Sequence, residues 1–154
     1  MNIKVLYLLI LLFISCCTSQ KNEFEYVEFK HECPTLKISD KILIRILSSQ
    51  KKHNNERIVE LTYHGKTHIR KPINEKEYQN IIDSILKINE NSQDSTIVFA
   101  DGGSNIIEYR KGNVIKKYHS QVLNKEYNNG FYNAFYNACE LITKSAMFDI
   151  TTTK

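Results

Sequence analysis

His64 and His68, four residues apart in HGKTH, are the nearest approach to a metal pair in this sequence. On a helix that spacing would set both imidazoles on one face. Gly65 stands between them and β-type residues flank them, so the stretch reads as a turn between two strands. His31, His53 and His119 have no partner at ligand spacing, and no metal is expected. DGGSN, residues 101 to 105, has the glycines of a phosphate or calcium loop. It lacks the following helix that a phosphate cradle uses and the alternating acidic ligands of a calcium loop. It reads as a plain hairpin turn. Cys139 would need a basic neighbour to act as a nucleophile, and the adjacent Glu140 is acidic, which raises a thiol pKa. No HExxH, CxxC or nucleophile elbow occurs, so neither a catalytic residue nor a cofactor is expected.

The most distinctive local run is FYNAFYN, 131 to 137. At helical spacing Phe131 and Phe135 belong to the core. Tyr132 and Tyr136 then fall on the neighbouring stripe beside Asn133 and Asn137. Exposed, that stripe would be a candidate partner-binding surface, because Tyr offers contact area at low entropic cost. The alternative is that both tyrosines edge the core.

The elements that must position these residues follow from periodicity. FEYVEFKHE, 24 to 32, reads as a first strand. TLKISDKILIRILSSQ follows Cys33-Pro34 and reads two ways. As a helix capped by Ser39 or Asp40 it would bury Ile42, Leu43, Ile46 and Leu47; as a strand it would align Ile42, Ile44 and Ile46. The helix is slightly preferred. ERIVELTYHGKTHIRKPI, 56 to 73, reads as a hairpin turning at His64-Gly65, with Pro72 closing its second strand. Asn74 and Glu77 resemble a capping box. Tyr78, Ile81, Ile82, Ile85 and Leu86 then share one helix face. TIVFA (96 to 100), NIIEYR (105 to 110) and VIKKYH (114 to 119) read as a three-stranded meander. GFYNAFYNACELITK closes the chain as a helix burying Phe131, Ala134, Phe135, Ala138 and Ile142. TTTK is a tail.

These elements make an α+β domain: an antiparallel sheet, hairpin plus β-meander, packed on one face by two or three helices. The 154 residues, 42% hydrophobic and 25% charged, suit one domain with a small core. Nine Tyr and seven Phe supply aromatic mass in the absence of Trp. The net charge of +4 is scattered, with Lys-Lys pairs only at 51–52 and 116–117, so nucleic acid is not an implied partner. Abundant Lys, Ile and Asn hint at an A/T-rich bacterial genome.

At the other end, Lys4 precedes an apolar run from Val5 to Ile14, then Ser15, Cys16 and Cys17. The run is too short to span a bilayer comfortably, where about 20 residues are needed. Its basic, apolar, small order is that of a secretion signal. Phe13-Ile14-Ser15-Cys16 resembles the lipobox of bacterial lipoproteins, with Phe13 where Leu is usual. The resemblance implies cleavage before Cys16, acylation of its thiol (palmitate among the acyl groups) and a cell-envelope location, lipid-anchored at the periplasmic face or cell surface. Lax lipoboxes with cysteine doublets resemble those of Bacteroidota. DGGSNIIEYRKGNVIKKYHS with FYNAFYNACELI is similar to a pattern in small Bacteroidota lipoproteins: a turn, a hairpin and an aromatic-rich terminal helix. The expected organisation is a signal over 1–15, a flexible lipidated tether over 16–23, one domain over 24–150 and a tail over 151–154.

That compartment permits disulfides. With Cys16 acylated, Cys33 and Cys139 are a candidate pair. Closing a loop of about 100 residues would stabilise by up to about 4.7 kcal/mol. Two buried free thiols are the alternative. The functional expectation is a non-catalytic binding module, immunity- or inhibitor-like, with the membrane and an envelope protein as partners. A small envelope hydrolase without a recognisable motif is the alternative.

Overall fold

The computed structural model describes residues 24–33, 40–48, 56–92, 103–121, 123 and 130–149. Expectations for the signal, Cys16, the tether, the TIVFA strand and the tail lie outside them. Six strands form one antiparallel sheet: β1 (Glu25–Cys33), β2 (Asp40–Ser48), β3 (Arg57–Tyr63), β4 (Lys66–Ile73), β5 (Ser104–Lys111) and β6 (Val114–Ser120), in the order β4-β3-β2-β1-β5-β6. Among the described residues two α-helices, α1 (Glu75–Leu86) and α2 (Gly130–Ser145), and a short 3-10 turn, Glu90–Ser92, complete an α+β fold. The first four strands run as a meander. The chain then passes through α1 and returns to lay β5 against the free edge of β1, which ends up inside the sheet.

Alternation divides the two faces. Val27 and Phe29 of β1, Ile42, Ile44 and Ile46 of β2, Val59 and Leu61 of β3 and Ile107 and Tyr109 of β5 are all buried in one core with the helices. The expected helix over residues 40–47 is therefore a strand. Its isoleucines stand at alternate positions, and β-branched side chains fit a pleated surface. Ile42 and Ile46 enter the core, while Leu43 and Leu47, grouped with them by the helical reading, stand half-buried on the opposite face.

The turns and caps follow local chemistry. His64 and Gly65 both have positive φ, 48° and 74°, between the paired Tyr63 and Lys66. That is the two-residue turn whose twist matches the flanking strands. Gly112 (φ 56°) opens the β5–β6 turn. Pro72 lies in edge strand β4, opposite Ile58 and one residue before the strand ends, where a missing donor is tolerated. Asn74 caps α1, its Oδ1 accepting the Glu77 amide at 2.8 Å. Tyr78, Ile81, Ile82 and Ile85 are buried as the spacing requires, but Leu86 is 46% exposed at the last position. In α2 the buried arc includes Phe131, Phe135, Ala138 and Ile142 and widens to Tyr132, Tyr136 and Cys139. Ala134 is only partly buried.

At the start of β1 the covered side holds a charged cluster. Arg57 Nη2 donates to Glu25 Oε2 at 2.6 Å, and Tyr109 donates its hydroxyl to Glu25 Oε1 at 2.9 Å. Lys111 Nζ stands 3.8 Å from the same carboxylate. The Arg57 guanidinium lies 4.1 Å from the centre of the Tyr78 ring, and its Nε is 3.8 Å from Glu75. Burial, then the Glu25 charge, push the Tyr78 phenol well above its ordinary range. Replacing one partner of such a pair strands the other charge. Arg57→Met should lower urea-measured stability by about 3 kcal/mol or more, and Glu25→Leu added to it should recover much of the loss.

Two residues beyond the end of α2, Met147 has φ 54°. The Met147 amide reaches Lys144 O at 2.9 Å and the Phe148 amide reaches Thr143 O at 2.9 Å. This left-handed cap normally uses Gly. Met147 is 73% exposed, so little packing is lost on replacement. Met147→Gly should raise stability by about 0.5–1 kcal/mol, read as a higher melting temperature.

Candidate functional site

The residues singled out from sequence do not converge. His64 is exposed in the β3–β4 turn and His68 is exposed in strand β4. Both approach the Tyr63 ring, with centroids at 3.9 and 6.1 Å. No group of three or more His, Cys, Asp or Glu able to hold a metal occurs among the described residues. Tyr132 and Tyr136 are 5% and 7% exposed, so they edge the core and offer no exposed aromatic stripe. Asn133 and Asn137 face solvent instead. Cys139 is a fully buried free thiol, pushed well above its ordinary range by burial. Cys139 is thus unbridged here, and the side chain of its candidate partner Cys33 lies outside the described residues. Cys139 is packed in the core from α2, while Cys33 ends β1 opposite Asp40.

What sequence reading missed is the other side of the sheet. Register places Arg70, Glu60, Arg45, Glu28, Glu108 and Lys117 side by side, one from each strand in the order β4-β3-β2-β1-β5-β6. The row crosses the whole sheet opposite the helices. Arg70 Nε meets Glu60 at 3.1 Å, and Arg45 Nε meets Glu28 at 2.6 Å. Lys30 Nζ reaches the second Glu28 oxygen at 2.6 Å. Glu28 and Glu108 stand directly opposite each other, an arrangement that is unfavourable unless compensated. The compensation is visible. Two cations hold Glu28, and the Tyr26 hydroxyl donates to Glu108. That bond, ahead of burial, raises the Tyr26 phenol. Burial alone would raise the Glu28 carboxyl, but Lys30 and Arg45 more than offset it, and its pKa lies below the ordinary value. Half-buried Leu43, Leu47, Ile58 and Ile106 flank the row. The sequence signal was the alternation of charged and apolar residues along β1, β2 and β3, but the partner of each charge depends on register.

At the far end of β1 lies a second polar group. His31 Nδ1 and Asn105 Oδ1 are 2.7 Å apart, and Asn105 Nδ2 donates to Ser120 O at 3.1 Å. All three residues are buried. Asn105, read both as the end of the DGGSN turn and as the start of the 105–110 strand, lies in β5 and ties β1 to β6 across it. Gly103 is pressed against the Glu32 carbonyl, 3.0 Å from where a Cβ would stand. On the opposite face Ser104 Oγ lies 3.2 Å from His119 Nε2, in an exposed contact.

Among the described residues, grooves lie on the helix side, two of which bear on the site. One, of about 430 Å³, runs between the helices past Asn80, Asp83, Asn133 and Asn137. The other, of about 350 Å³, lies at the end of α2 beside Tyr136, Glu140 and Met147. Neither contains the Ser104–His119 pair. Compared with protein families, characterised proteins and solved structures, the chain matches none.

The Glu28 ion pairs carry a pH signature. A carboxyl whose folded-state pKa is depressed contributes stability above its unfolded value, and loses it as pH falls through the folded value. Glu28→Gln should be less stable than the parent at pH 7. That difference should shrink as pH falls below about 4.3 and vanish once the parent carboxyl is protonated, as denaturant titrations across pH 7 to 2 would show.

Proposed function

We propose that this chain is a lipid-anchored envelope protein, held to a bacterial membrane through Cys16, whose domain binds a protein partner and performs no chemistry. The anchor reading is supported by Phe13-Ile14-Ser15-Cys16 after its apolar run. The binding reading is carried by the charged row on the sheet face opposite the helices. Its acids are engaged by cations or a phenol rather than poised over a cleft, and half-buried aliphatic side chains lie between its charges. A patterned, patch-like surface of this kind favours complementary partners and disfavours others through its charge register. An immunity- or inhibitor-like role suits a small anchored domain. One observation favours a second reading, a small envelope hydrolase: the Ser104–His119 contact. Nucleophile and base at that distance fit the chemistry, but an exposed strand surface does not exclude water.

Intact mass of the membrane-extracted protein tests the anchor. The expected chain begins at Cys16 and carries acyl groups. In denaturant without reductant, Cys33 and Cys139 should both alkylate. An unacylated chain retaining residues 1 to 15 would sink the reading. For the binding face, Arg45→Glu places a third acid beside Glu28 and Glu60. It should abolish capture of the protein partner retained from envelope fractions by the parent. Undiminished capture would remove the charged row from the proposal.

A further inference from the structure

Five large hydrophobic side chains are well exposed among the described residues: Phe24, Leu86, Val114, Ile115 and Met147. Three of them lie at one corner of the sheet, Val114 and Ile115 on alternate faces of it. Phe24 immediately precedes β1, and its carbonyl accepts the Gly112 amide at 3.0 Å in the β5–β6 turn. Val114 and Ile115 are the first two residues after that turn. Phe24, Val114 and Ile115 are 59%, 55% and 55% exposed. The Phe24 and Tyr26 rings lie 5.4 Å apart, and register sets Tyr26 beside Arg110 and Arg110 beside Ile115.

The same hairpin is basic. Arg110, Lys111, Lys116 and Lys117 lie within four residues of the turn, on both faces of the corner. The two acids beside them are shared with other groups, Glu25 with Arg57 and Tyr109 as well as Lys111, and Glu108 with Tyr26. An apolar tip ringed by four cations, of which Lys111 shares Glu25 and Lys117 stands opposite Glu108, is the pattern that lies at a bilayer interface, with apolar groups at the acyl boundary and cations among the phosphates. The chain itself points the same way. Eight residue steps separate Cys16 from Phe24, which reach at most about 28 Å fully extended. A domain tied to acyl groups at Cys16 cannot carry this corner far from the headgroups.

We propose that this corner is the membrane-facing end of the domain, docking Phe24, Val114 and Ile115 into an anionic lipid surface through Arg110, Lys111, Lys116 and Lys117. The inference rests on the anchored reading and adds an orientation to it. The charged sheet face then stands along the membrane normal, open to a partner from the side. The anchor limits how far the domain travels, and the corner sets which way it turns.

The absence of Trp from the chain makes the test direct. Phe24→Trp and, separately, Leu86→Trp are introduced in the full chain, extracted from membranes and reconstituted in vesicles of phosphatidylglycerol mixed equally with brominated phosphatidylcholine. Leu86 ends a helix whose first turn lies at the Arg57 end of the sheet, about 16 Å further along the helix. The Phe24→Trp emission should shift to the blue, be quenched by the brominated acyl chains and resist iodide. The Leu86→Trp emission should stay water-like. Neutralising Lys111, Lys116 and Lys117 to Gln together should weaken docking about five-fold per charge, on the order of a hundred-fold in all, and only on anionic vesicles. Equal iodide access at both positions in an acylated chain overturns the inference and leaves the anchor standing. A mass without acyl groups overturns the anchor, and lipid quenching at position 24 then still decides the corner on its own.

Discussion

The Glu25 carboxylate is the group around which the covered side of this domain is arranged. It sits at the start of β1 on the face that packs against the helices, and it is 8% exposed. A charge so placed is unfavourable unless every oxygen is engaged. Here Arg57 from β3, Tyr109 from β5 and Lys111 from β5 all reach it. Those contacts require β1 to lie inside the sheet, with β5 on one side and β3 one strand away on the other. They also require α1 to begin beside Arg57, because the guanidinium lies over the Tyr78 ring and near Glu75. A single buried ion cluster therefore specifies strand order, register and the seating of one helix. Apolar packing supplies most of the stabilisation but is less discriminating, since Ile and Val can slide past one another with small loss.

Legibility in the sequence tracked the range of the interaction. The hairpin at His64-Gly65, the Asn74 cap and the buried face of α1 are set by residues within a few positions of one another, and they read directly. β2 did not, because Ile42, Leu43, Ile46 and Leu47 satisfy a helix stripe as well as Ile42, Ile44 and Ile46 satisfy a strand. What decides it is the presence of β1 and β3 on both edges, which no local window contains. The same reason hid the surface features. Glu28 and Arg45 are ordinary charged residues until register makes them neighbours, and Asn105 reads as a turn residue until His31 and Ser120 are brought to it. The tyrosine stripe failed differently. α2 is buried over more than half of its circumference, so residues beside the core stripe are themselves core.

The two faces of the sheet divide the work that a small domain must do. One face, with both helices, holds the aromatic and aliphatic mass and the Glu25 cluster. The other carries a continuous row of charges balanced within itself. Such a row adds little to stability, because exposed ion pairs are worth about 0–1 kcal/mol each. Its consequence is for recognition. Opposed charges at fixed cross-strand spacing present a pattern that a partner must match in register, and Glu28 beside Glu108 gives that pattern a site of concentrated negative charge, restrained by Tyr26, Lys30 and Arg45.

Geometry connects this face to the corner at Phe24. The charged row runs across the strands, while the strands themselves run away from the β5–β6 turn and the start of β1. A membrane lying against that corner would meet the ends of β1, β5 and β6, not the flat of the sheet. Docking and partner binding would then use perpendicular surfaces that share Lys117 at their common margin. The arrangement also explains how apolar side chains as large as Phe24 and Ile115 can be left open on so small a domain without making the sheet face itself apolar. They lie at its margin, ringed by cations, while the interior of that face is kept charged by residues whose partners are one strand away.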